Sequence, residues 1–303
     1  MHEENEVEIM KFGKVDDPSS LNLNLPKDHE DTIRILTKNK DNKKAKIRIG
    51  CAKWNKYDLK NFYPKGVGNK ELEYYSSRFN SIEFNAFFYR IFPPEMVKNW
   101  YYRSSDNFTF FPKIPQTISQ FRRLKDCDDK LDQYFKSIIN FKEKLGTCFL
   151  QMHPSFKPDS FDDLVSFIEK WPSDIKLSIE MRHTDWYNDP IVYEALQQLL
   201  VEYTISSTIT DTAGRRDLIH MRLSTPTAFI RFTGANHESD YVRLDEWFER
   251  IKSWIDAGLN ELNFFIHQNV EVESPLLASY FIERLNQEMS LNLVVPKTIS
   301  PKN

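Results

Sequence analysis

Charged side chains stand at the end of a short apolar run, residues 177–179, and carry the strongest chemical signal in this sequence. The run is typical of a buried strand. Glu180, Arg182 and His183 follow it, and Trp186 comes three residues later. Ionisable groups at a strand end are costly unless they pair with each other or face a pocket. We therefore expect a site here, with the rest of the chain folded around it as a barrel.

Two glutamates and a lysine are the candidate catalytic groups. Glu83 and Glu180, at the ends of two predicted strands, are candidates for a paired general acid and base. The same carboxylates are equally candidates for ion pairs with Lys113, Arg182 or Arg231. Lys113 suits Schiff-base chemistry if it is buried without a carboxylate partner. With two glutamates expected nearby, the sequence favours a paired ammonium instead.

Polar or aromatic side chains follow nearly every other predicted strand. Because ligands bind at the carboxyl ends of barrel strands, we take these side chains as candidate ligand-binding residues. The alternative for the charged members is an ion-pair network, and the alternative for the aromatic members is ordinary packing. The candidates are Trp54, Asn85, Tyr89, Gln151, Arg182, His183, Trp186, Asp211, Arg231 and Asn269.

Metal and cofactor sites have no strong pattern in the sequence. His153, His183 and His267 are far apart along the chain, and no H-E-x-x-H run is present. With Asp211 or Glu180 they are the residues that would hold a metal if the fold brought them together. The first predicted strand ends without a G-x-G-x-x-G run, and the chain has eight glycines. We expect no metal and no bound cofactor.

Short apolar runs alternate with amphipathic segments from residue 46 to residue 290. Strands that alternate with helices indicate βα units, and the length is typical of one eight-fold barrel. The expected fold is an α/β TIM-type (β/α)8 barrel, with an open doubly wound sheet as the alternative. The sixth connection, residues 215–223, has the least clear helical pattern. The predicted strands are residues 47–52, 81–84, 108–111, 148–152, 176–180, 203–210, 228–233 and 262–267.

The two ends of the chain lack this alternation. Residues 1–45 are polar and charge-rich, and we expect an irregular arm. Residues 291–303 are expected to form a C-terminal tail. The sequence leaves the oligomeric state open. The apolar residues through which the arm would pack are Phe12, Leu21, Leu23 and Leu25.

Composition excludes several classes of protein. Apolar residues make up 40% of the 303 residues, enough for a large core. A net charge of −3 excludes a globally basic nucleic-acid binder, although a local basic patch is still compatible with that partner. Three cysteines without metal spacing predict a reduced, cytoplasmic protein. We expect no secretory signal and no membrane span.

Short motifs run in order through the predicted barrel: Gly50 with Trp54; Phe62-Tyr63-Pro64; Leu72 with Tyr74-Tyr75; Phe79 before Ile82-Glu83-Phe84-Asn85 and Phe88-Tyr89; Phe110 with Lys113; Leu150-Gln151 before Pro154-Ser155-Phe156; Glu180-Met181-Arg182-His183 with Trp186; Arg231-Phe232 with Gly234; and Asn269. In this order and spacing they resemble the YecE-like family, catalogued as domain of unknown function 72. Two positions depart from the family pattern, His153 and the His267-Gln268 pair before Asn269. The resemblance covers the barrel and not the first 45 residues.

The resemblance implies a TIM-type barrel with a polar pocket at its carboxyl end, formed by the candidate residues that match the motifs. It implies no activity, because the family has none assigned. From the residue chemistry we expect a metal-independent enzyme of hydrolase or lyase type. Its substrate would be a polar, anionic small molecule, such as a phosphorylated or sugar-like metabolite. Lys113, Arg182 and Arg231 would hold the anion, and Glu83 or Glu180 would move the proton.

The alternative is a non-catalytic binding module for a phosphorylated metabolite or a nucleic-acid end. Carboxylate geometry separates the two hypotheses, because an unshared oxygen on each glutamate favours catalysis and full engagement by arginines favours binding. Glu180 and Arg182 are two residues apart, so we expect both at the mouth of the lumen with Glu83 and Lys113. We expect Trp186 to fold over that mouth.

Overall fold

Eight parallel strands form the centre of the protein in the computed structural model, which describes residues 13–40 and 43–298. The arrangement confirms the predicted α/β TIM-type barrel, and every predicted strand overlaps an observed one. The strands are β1 (Lys46–Cys51), β2 (Ser81–Phe84), β3 (Thr109–Pro112), β4 (Cys148–Gln151), β5 (Leu177–Glu180), β6 (Ser206–Asp211), β7 (Thr227–Gly234) and β8 (Glu261–Gln268).

The strands lie in sequential order around the barrel, and β1 pairs with both β2 and β8. At the remaining seam, between β3 and β4, isolated bridges pair Phe110 with Leu145 and Lys113 with Phe149. The backbone N–H of Ile114 also donates to the carbonyl oxygen of Phe149 at 2.8 Å. The barrel is therefore nearly closed, and inward side chains face an enclosed lumen.

Helices surround the strands because their apolar residues recur at helical spacing. Between β3 and β4, Leu131, Tyr134 and Ile138 share one buried helix face. Asp189 caps the long helix after β5 by accepting from the backbone N–H of Ile191 at 2.8 Å. The helices of the described residues are α1 (Glu30–Lys38), α2 (Glu71–Arg78), α3 (Ala86–Tyr89), α4 (Pro94–Arg103), α5 (Asp128–Ile138), α6 (Phe161–Glu169), α7 (Asp185–Asn188), α8 (Pro190–Glu202), α9 (Ser239–Ala257) and α10 (Ser274–Met289).

The connection between β6 and β7 contains only a short 3-10 turn, Arg216–Leu218, where the other connections have an α-helix. Helix α1 packs against this connection and against α9. The hydroxyl of Thr32 donates to the carbonyl oxygen of Met221 at 2.9 Å and accepts from the N–H of Leu223 at 3.0 Å. Leu36 is fully buried in the main core. Helix α1 therefore completes the helix layer at the connection that lacks its own helix.

The prediction of an irregular arm is wrong for residues 30–38. Asp31 and Arg222 form a buried ion pair, with Nε of Arg222 donating to Oδ2 of Asp31 at 2.8 Å. Nη2 of the same arginine donates to Glu194 on α8 at 2.5 Å. These contacts and the burial of Leu36 offset the entropy lost when the segment orders. The segment therefore belongs to the barrel.

The predicted contacts of the arm are only partly found. Leu23 is buried, Leu25 packs against the core, Leu21 is exposed, and Phe12 lies outside the described residues. Residues 291–298, the described part of the C-terminal tail, contain no helix or strand. Among the described residues, no helix is long and apolar enough to cross a membrane.

Candidate functional site

Seven strands place polar side chains in the lumen at the carboxyl end of the barrel. We call these residues the polar layer, since each of them forms a hydrogen bond with at least one other member. All of them are buried or nearly so. The polar layer consists of Glu83 from β2, Lys113 directly after β3, Gln151 from β4, Glu180 from β5, Thr210 from β6, Arg231 from β7 and His267 from β8.

Four phenylalanines fill the lumen below the polar layer. Each stands two residues before the polar residue of its own strand, which is the spacing of successive inward positions. The rings of Phe149 and Phe229 are stacked, with their centroids 5.3 Å apart. The guanidinium carbon of Arg231 lies 4.9 Å from the ring centre of Phe149. This apolar floor separates the polar layer from the amino end of the barrel, and it consists of Phe111, Phe149, Phe229 and Phe265.

Arg231 joins the two glutamates across the lumen. Its Nε donates to Oε2 of Glu83 at 2.8 Å, and its Nη2 donates to Oε1 of Glu83 at 3.0 Å. Its Nη1 donates to Oε2 of Glu180 at 3.0 Å. Glu83 also accepts from Nδ2 of Asn85 at 3.0 Å, and its Oε2 lies 3.0 Å from Nε2 of His267. Both oxygens of Glu83 are therefore engaged.

Glu180 is enclosed in the same way. Its Oε1 accepts from Nε2 of Gln151 at 2.9 Å and from Nε of Arg182 at 2.7 Å. Its Oε2 accepts from the hydroxyl of Thr210 at 2.8 Å and from Arg231. Glu180 and Arg182 thus lie in one site, as their spacing predicts. Neither glutamate keeps an unshared oxygen, and that geometry favours a binding or structural role for both carboxylates.

Both carboxylates are held in the ionised form. Burial alone would raise the pKa of Glu180, but the charges of Arg182 and Arg231, with hydrogen bonds from Arg182 and Thr210, lower the pKa to about 2. Burial also acts to raise the pKa of Glu83. The charges and hydrogen bonds of Arg231 and His267 outweigh burial, and they hold the pKa of Glu83 well below its usual range. A general acid or base works best when its pKa lies near the operating pH. Neither glutamate meets that condition at neutral pH.

Lys113 differs from the arginines because no carboxylate of the described residues forms an ion pair with it. Its Nζ donates to Oε1 of Gln151 at 2.9 Å and lies 4.1 Å from the ring centre of Phe88. Burial, reinforced by the charge of Arg231, lowers the pKa of Lys113 to about 7. The expectation of a paired ammonium is therefore wrong, and the neutral amine is well populated near neutral pH.

His267 closes the polar layer at β8. Burial acts to lower the pKa of His267, but the charge of Glu83 and hydrogen bonds to Glu271 and Glu83 outweigh burial and raise the pKa. Nδ1 of His267 lies 3.7 Å from Oε1 of Glu271. From the sequence His267 was considered only as a metal ligand, and neither His267 nor Thr210 was among the candidate ligand-binding residues. Their position at strand ends is the signal that identifies both.

Asp211 does not belong to the polar layer, because it lies on the opposite face of β6 from Thr210. Its Oδ1 accepts from Nη2 of Arg243 at 2.7 Å, and its Oδ2 accepts from Nε1 of Trp247 at 2.8 Å. Burial acts to raise the pKa of Asp211, but Arg243 and Arg216 outweigh it and lower the pKa. The structure therefore places this candidate in an ion-pair cluster between β6 and α9.

The two candidate tryptophans pack among aromatic rings away from the polar layer. Trp186 is fully buried, its ring is stacked on Phe156, and its Nε1 donates to the carbonyl oxygen of Phe156 at 2.7 Å. The prediction that Trp186 folds over the mouth is wrong. Trp54 stacks on Phe84 with the ring centroids 4.8 Å apart, and Phe84 is adjacent in β2 to the inward-facing Glu83. Both tryptophans have the packing role that the sequence left open.

Three further candidates follow strand ends, and in the described part of the chain none of them forms a hydrogen bond with the polar layer. Tyr89 is exposed, His183 accepts from the N–H of Asp185 at 3.1 Å, and the N–H of Asn269 donates to Gly234 at 3.2 Å. Within residues 13–40 and 43–298, no three His, Cys, Asp or Glu side chains are grouped so that they could hold a metal ion.

Comparison with known proteins supports the family resemblance. Residues 48–301 match the family model described as protein of unknown function DUF72. The chain is 25% identical over 264 residues to the UPF0759 protein YecE of Escherichia coli strain K12, covering 80% of this chain and 94% of YecE. It is 25% identical over 205 residues to the UPF0759 protein YunF of Bacillus subtilis strain 168, covering 63% of this chain and 71% of YunF.

Solved structures share the fold. A DUF72 family protein of Enterococcus faecalis V583 matches with a TM-score of 0.63 and 18% identity, covering 80% of this chain and 98% of that one. A DUF72 family protein of Thermotoga maritima MSB8 matches with a TM-score of 0.61 and 20% identity, covering 80% and 99%. Because the family model spans the barrel from residue 48 onward, this chain belongs to the DUF72 family.

Proposed function

We propose that the polar layer is the active site of an enzyme of hydrolase or lyase type that acts on a polar, anionic small molecule. A phosphorylated or sugar-like metabolite fits this description. The charge balance of the buried site carries the proposal. Four basic side chains meet two carboxylates there, and Glu271 approaches from the loop after β8. The four basic residues are Lys113, Arg182, Arg231 and His267.

The number of basic groups supports an anionic ligand, because an anion that entered the layer would be attracted to several buried cations at once. Arg182 keeps 13% of its side chain exposed. Lys113 has Gln151 as its hydrogen-bond acceptor, and no carboxylate within residues 13–40 and 43–298 forms an ion pair with it. Enclosure by protein lowers the local dielectric and strengthens the attraction between these cations and an anion. The ligand would therefore enter from the carboxyl end and bind between Arg182 and Lys113.

In this proposal the glutamates hold the arginines in place, and Lys113 is the reactive group. Glu83 and Glu180 are fully engaged and ionised, so they orient guanidinium groups for the ligand. The amine of Lys113 is the group whose pKa, about 7, matches a neutral operating pH.

A second candidate is a non-catalytic binding module for a phosphorylated metabolite or a nucleic-acid end. The engagement of all four glutamate oxygens favours it, because a site that only binds needs fixed cations and no free base. Turnover separates the candidates. A metabolite that stabilises the protein and is converted to product supports the enzyme, and one that is bound unchanged supports the binding module.

The experiment is a thermal-shift screen of phosphorylated and carboxylated metabolites against the full chain. A ligand that binds only the folded state raises Tm. We expect at least one anion to raise the Tm of the wild type and to have little effect on Arg182→Met. Arg34→Met is the matched control, because Arg34 is an exposed arginine on α1 and its loss should leave the shift unchanged. Equal shifts in all three proteins, or no stabilising anion at all, would contradict an anion site in the lumen.

A further inference from the structure

The protein contains two buried lysines in different surroundings. Lys144 donates to the carbonyl oxygens of Tyr101 and Ser104 at 2.8 and 2.9 Å and to the hydroxyl of Ser104 at 3.1 Å. An ammonium has three N–H donors, so these contacts satisfy Lys144 fully. Lys113 donates to Gln151 and to no other acceptor among the described residues. The ammonium of Lys113 is therefore incompletely satisfied, and it loses little when it gives up a proton to become the neutral amine.

Aromatic faces occupy the remaining sides of the Lys113 amine. Its Nζ lies 4.1 Å from the ring centre of Phe88 and 5.6 Å from that of Phe149. An aromatic face stabilises a cation, but it does not accept a proton. The same position therefore suits an iminium ion, which is a cation that can replace the ammonium there. Burial also excludes the water that would hydrolyse an imine.

Gln151 fixes the position of the amine. Its Oε1 accepts from Lys113 at 2.9 Å, while its Nε2 donates to Oε1 of Glu180 at 2.9 Å. The amide is thus held from both ends, and Glu180 is in turn held by Arg182 at 2.7 Å. This chain links the amine to the guanidinium that would bind an anion. Gln151 is a positioning residue in this arrangement.

We propose that Lys113 forms an imine with an aldehyde or ketone that carries an anionic group. This inference rests on the proposed function and names the chemical class of its anionic ligand. The neutral amine adds to the carbonyl carbon, a C–N bond forms, and a proton moves from nitrogen to oxygen. Loss of water breaks the C–O bond and leaves the imine. The step needs no oxidant or reductant. Protonation gives an iminium that withdraws electrons from the adjacent C–C or C–H bond, which is chemistry of lyase type.

Borohydride trapping tests the proposal on the full wild-type chain. Glyoxylate and pyruvate are the anionic carbonyl probes, and acetaldehyde and acetone are their neutral counterparts. Sodium borohydride supplies the hydride that converts an imine into a stable secondary amine. Peptide mass spectrometry then locates the added mass. We expect Lys113 to be modified at least ten times faster than buried Lys144 or exposed Lys157 at pH 7, and faster by the anionic probes than by the neutral ones.

The pH dependence of trapping supplies a readout that a structural lysine would not give. The rate at Lys113 should rise to a plateau slightly above pH 7. The reference is a small amine such as N-acetyl-lysine amide, whose rate should keep rising towards pH 10 because a model lysine has a pKa of about 10.4. Gln151→Leu should lower the rate at Lys113 and leave the rate at Lys157 unchanged. Lys113→Arg, which keeps the positive charge, should abolish trapping at that peptide.

Two results overturn the inference in distinguishable ways. If trapping at Lys113 is no faster than at Lys157, the imine is ruled out. If the thermal-shift screen still finds a stabilising anion, the proposed function stands without the imine. Trapping at Lys113 that is as fast with acetaldehyde as with glyoxylate rules out the anionic class of substrate. In that case the thermal-shift screen should also find no stabilising anion.

Discussion

Arg231 holds Glu83 through two parallel hydrogen bonds, of 2.8 Å from Nε and 3.0 Å from Nη2. The forked pair joins β7 to β2 across the lumen, and Nη1 of the same guanidinium reaches Glu180 on β5. Bidentate pairs of this kind combine strength with a fixed geometry. The carboxylates are therefore part of the scaffold of the site. Their removal should lower the free energy of unfolding of the protein.

Glu180→Gln should destabilise the protein by about 3 kcal/mol. The substitution removes a buried negative charge and leaves Arg182 and Arg231 with less compensation. Urea unfolding at pH 7 measures the change. The matched control is Glu95→Gln, since the side chain of Glu95 is 81% exposed and pairs with Lys98 on the surface, and it should change stability by about 0.5 kcal/mol or less. Equal, small effects of both substitutions would show that the glutamate is not structural.

The stability contributed by Lys113 should depend on pH. The folded-state pKa of Lys113 is about 7, and the unfolded value of a lysine is about 10.4. Between these values the unfolded state binds more protons, so stability rises with pH in that window. The free energy of unfolding of the wild type minus that of Lys113→Met should therefore increase by about 2 kcal/mol from pH 7 to pH 9.

The control for this pH series is Lys157→Met, which removes an exposed lysine. Its difference from the wild type should be constant over the same range. Chemical unfolding of the three proteins at pH 7, 8 and 9 makes the comparison. A difference for Lys113→Met that stays flat with pH would mean that Lys113 is an ordinary charged ammonium in the folded state.

Asp211→Asn should cost about 3 kcal/mol, because it leaves the buried guanidinium of Arg243 with less negative charge. It should not alter trapping at Lys113, since Asp211 faces α9 and not the lumen. Asp129→Asn is the control, as Asp129 is a largely exposed partner of Arg122. Loss of trapping in a folded Asp211→Asn protein would connect this cluster to the site.

Leu36→Ala should destabilise the barrel by about 3 kcal/mol, because Leu36 on α1 is fully buried in the main core. Ile33→Ala on the same helix is the control, since Ile33 is 41% exposed and should lose less than about 1 kcal/mol. Thermal or urea unfolding measures the loss of stability in both variants. Similar small losses at both positions would mean that α1 is an arm that the barrel does not need.

The sequence by itself determined the barrel and the polar ends of its strands. The runs that became β2 and β5 were located from their apolar residues, since strands of a parallel sheet are buried on both faces and are therefore apolar along their length. The spacing of Glu180 and Arg182 placed both in one site for the same reason, because side-chain direction along a strand follows from local geometry.

Only the tertiary structure decided which partner each polar group has. Asp211 and Thr210 are neighbours in sequence, yet one binds α9 and the other binds Glu180, because the strand register decides which of them faces inward. The register also brought Gln151 to Lys113 and both glutamates to Arg231. As a result, no carboxylate of the described residues pairs with the amine of Lys113. Similarly, α1 lies far from residues 221–223 in sequence and packs on them only because the sixth connection lacks a helix. Such long-range pairings depend on the closed barrel as a whole, so no local pattern of residues could reveal them.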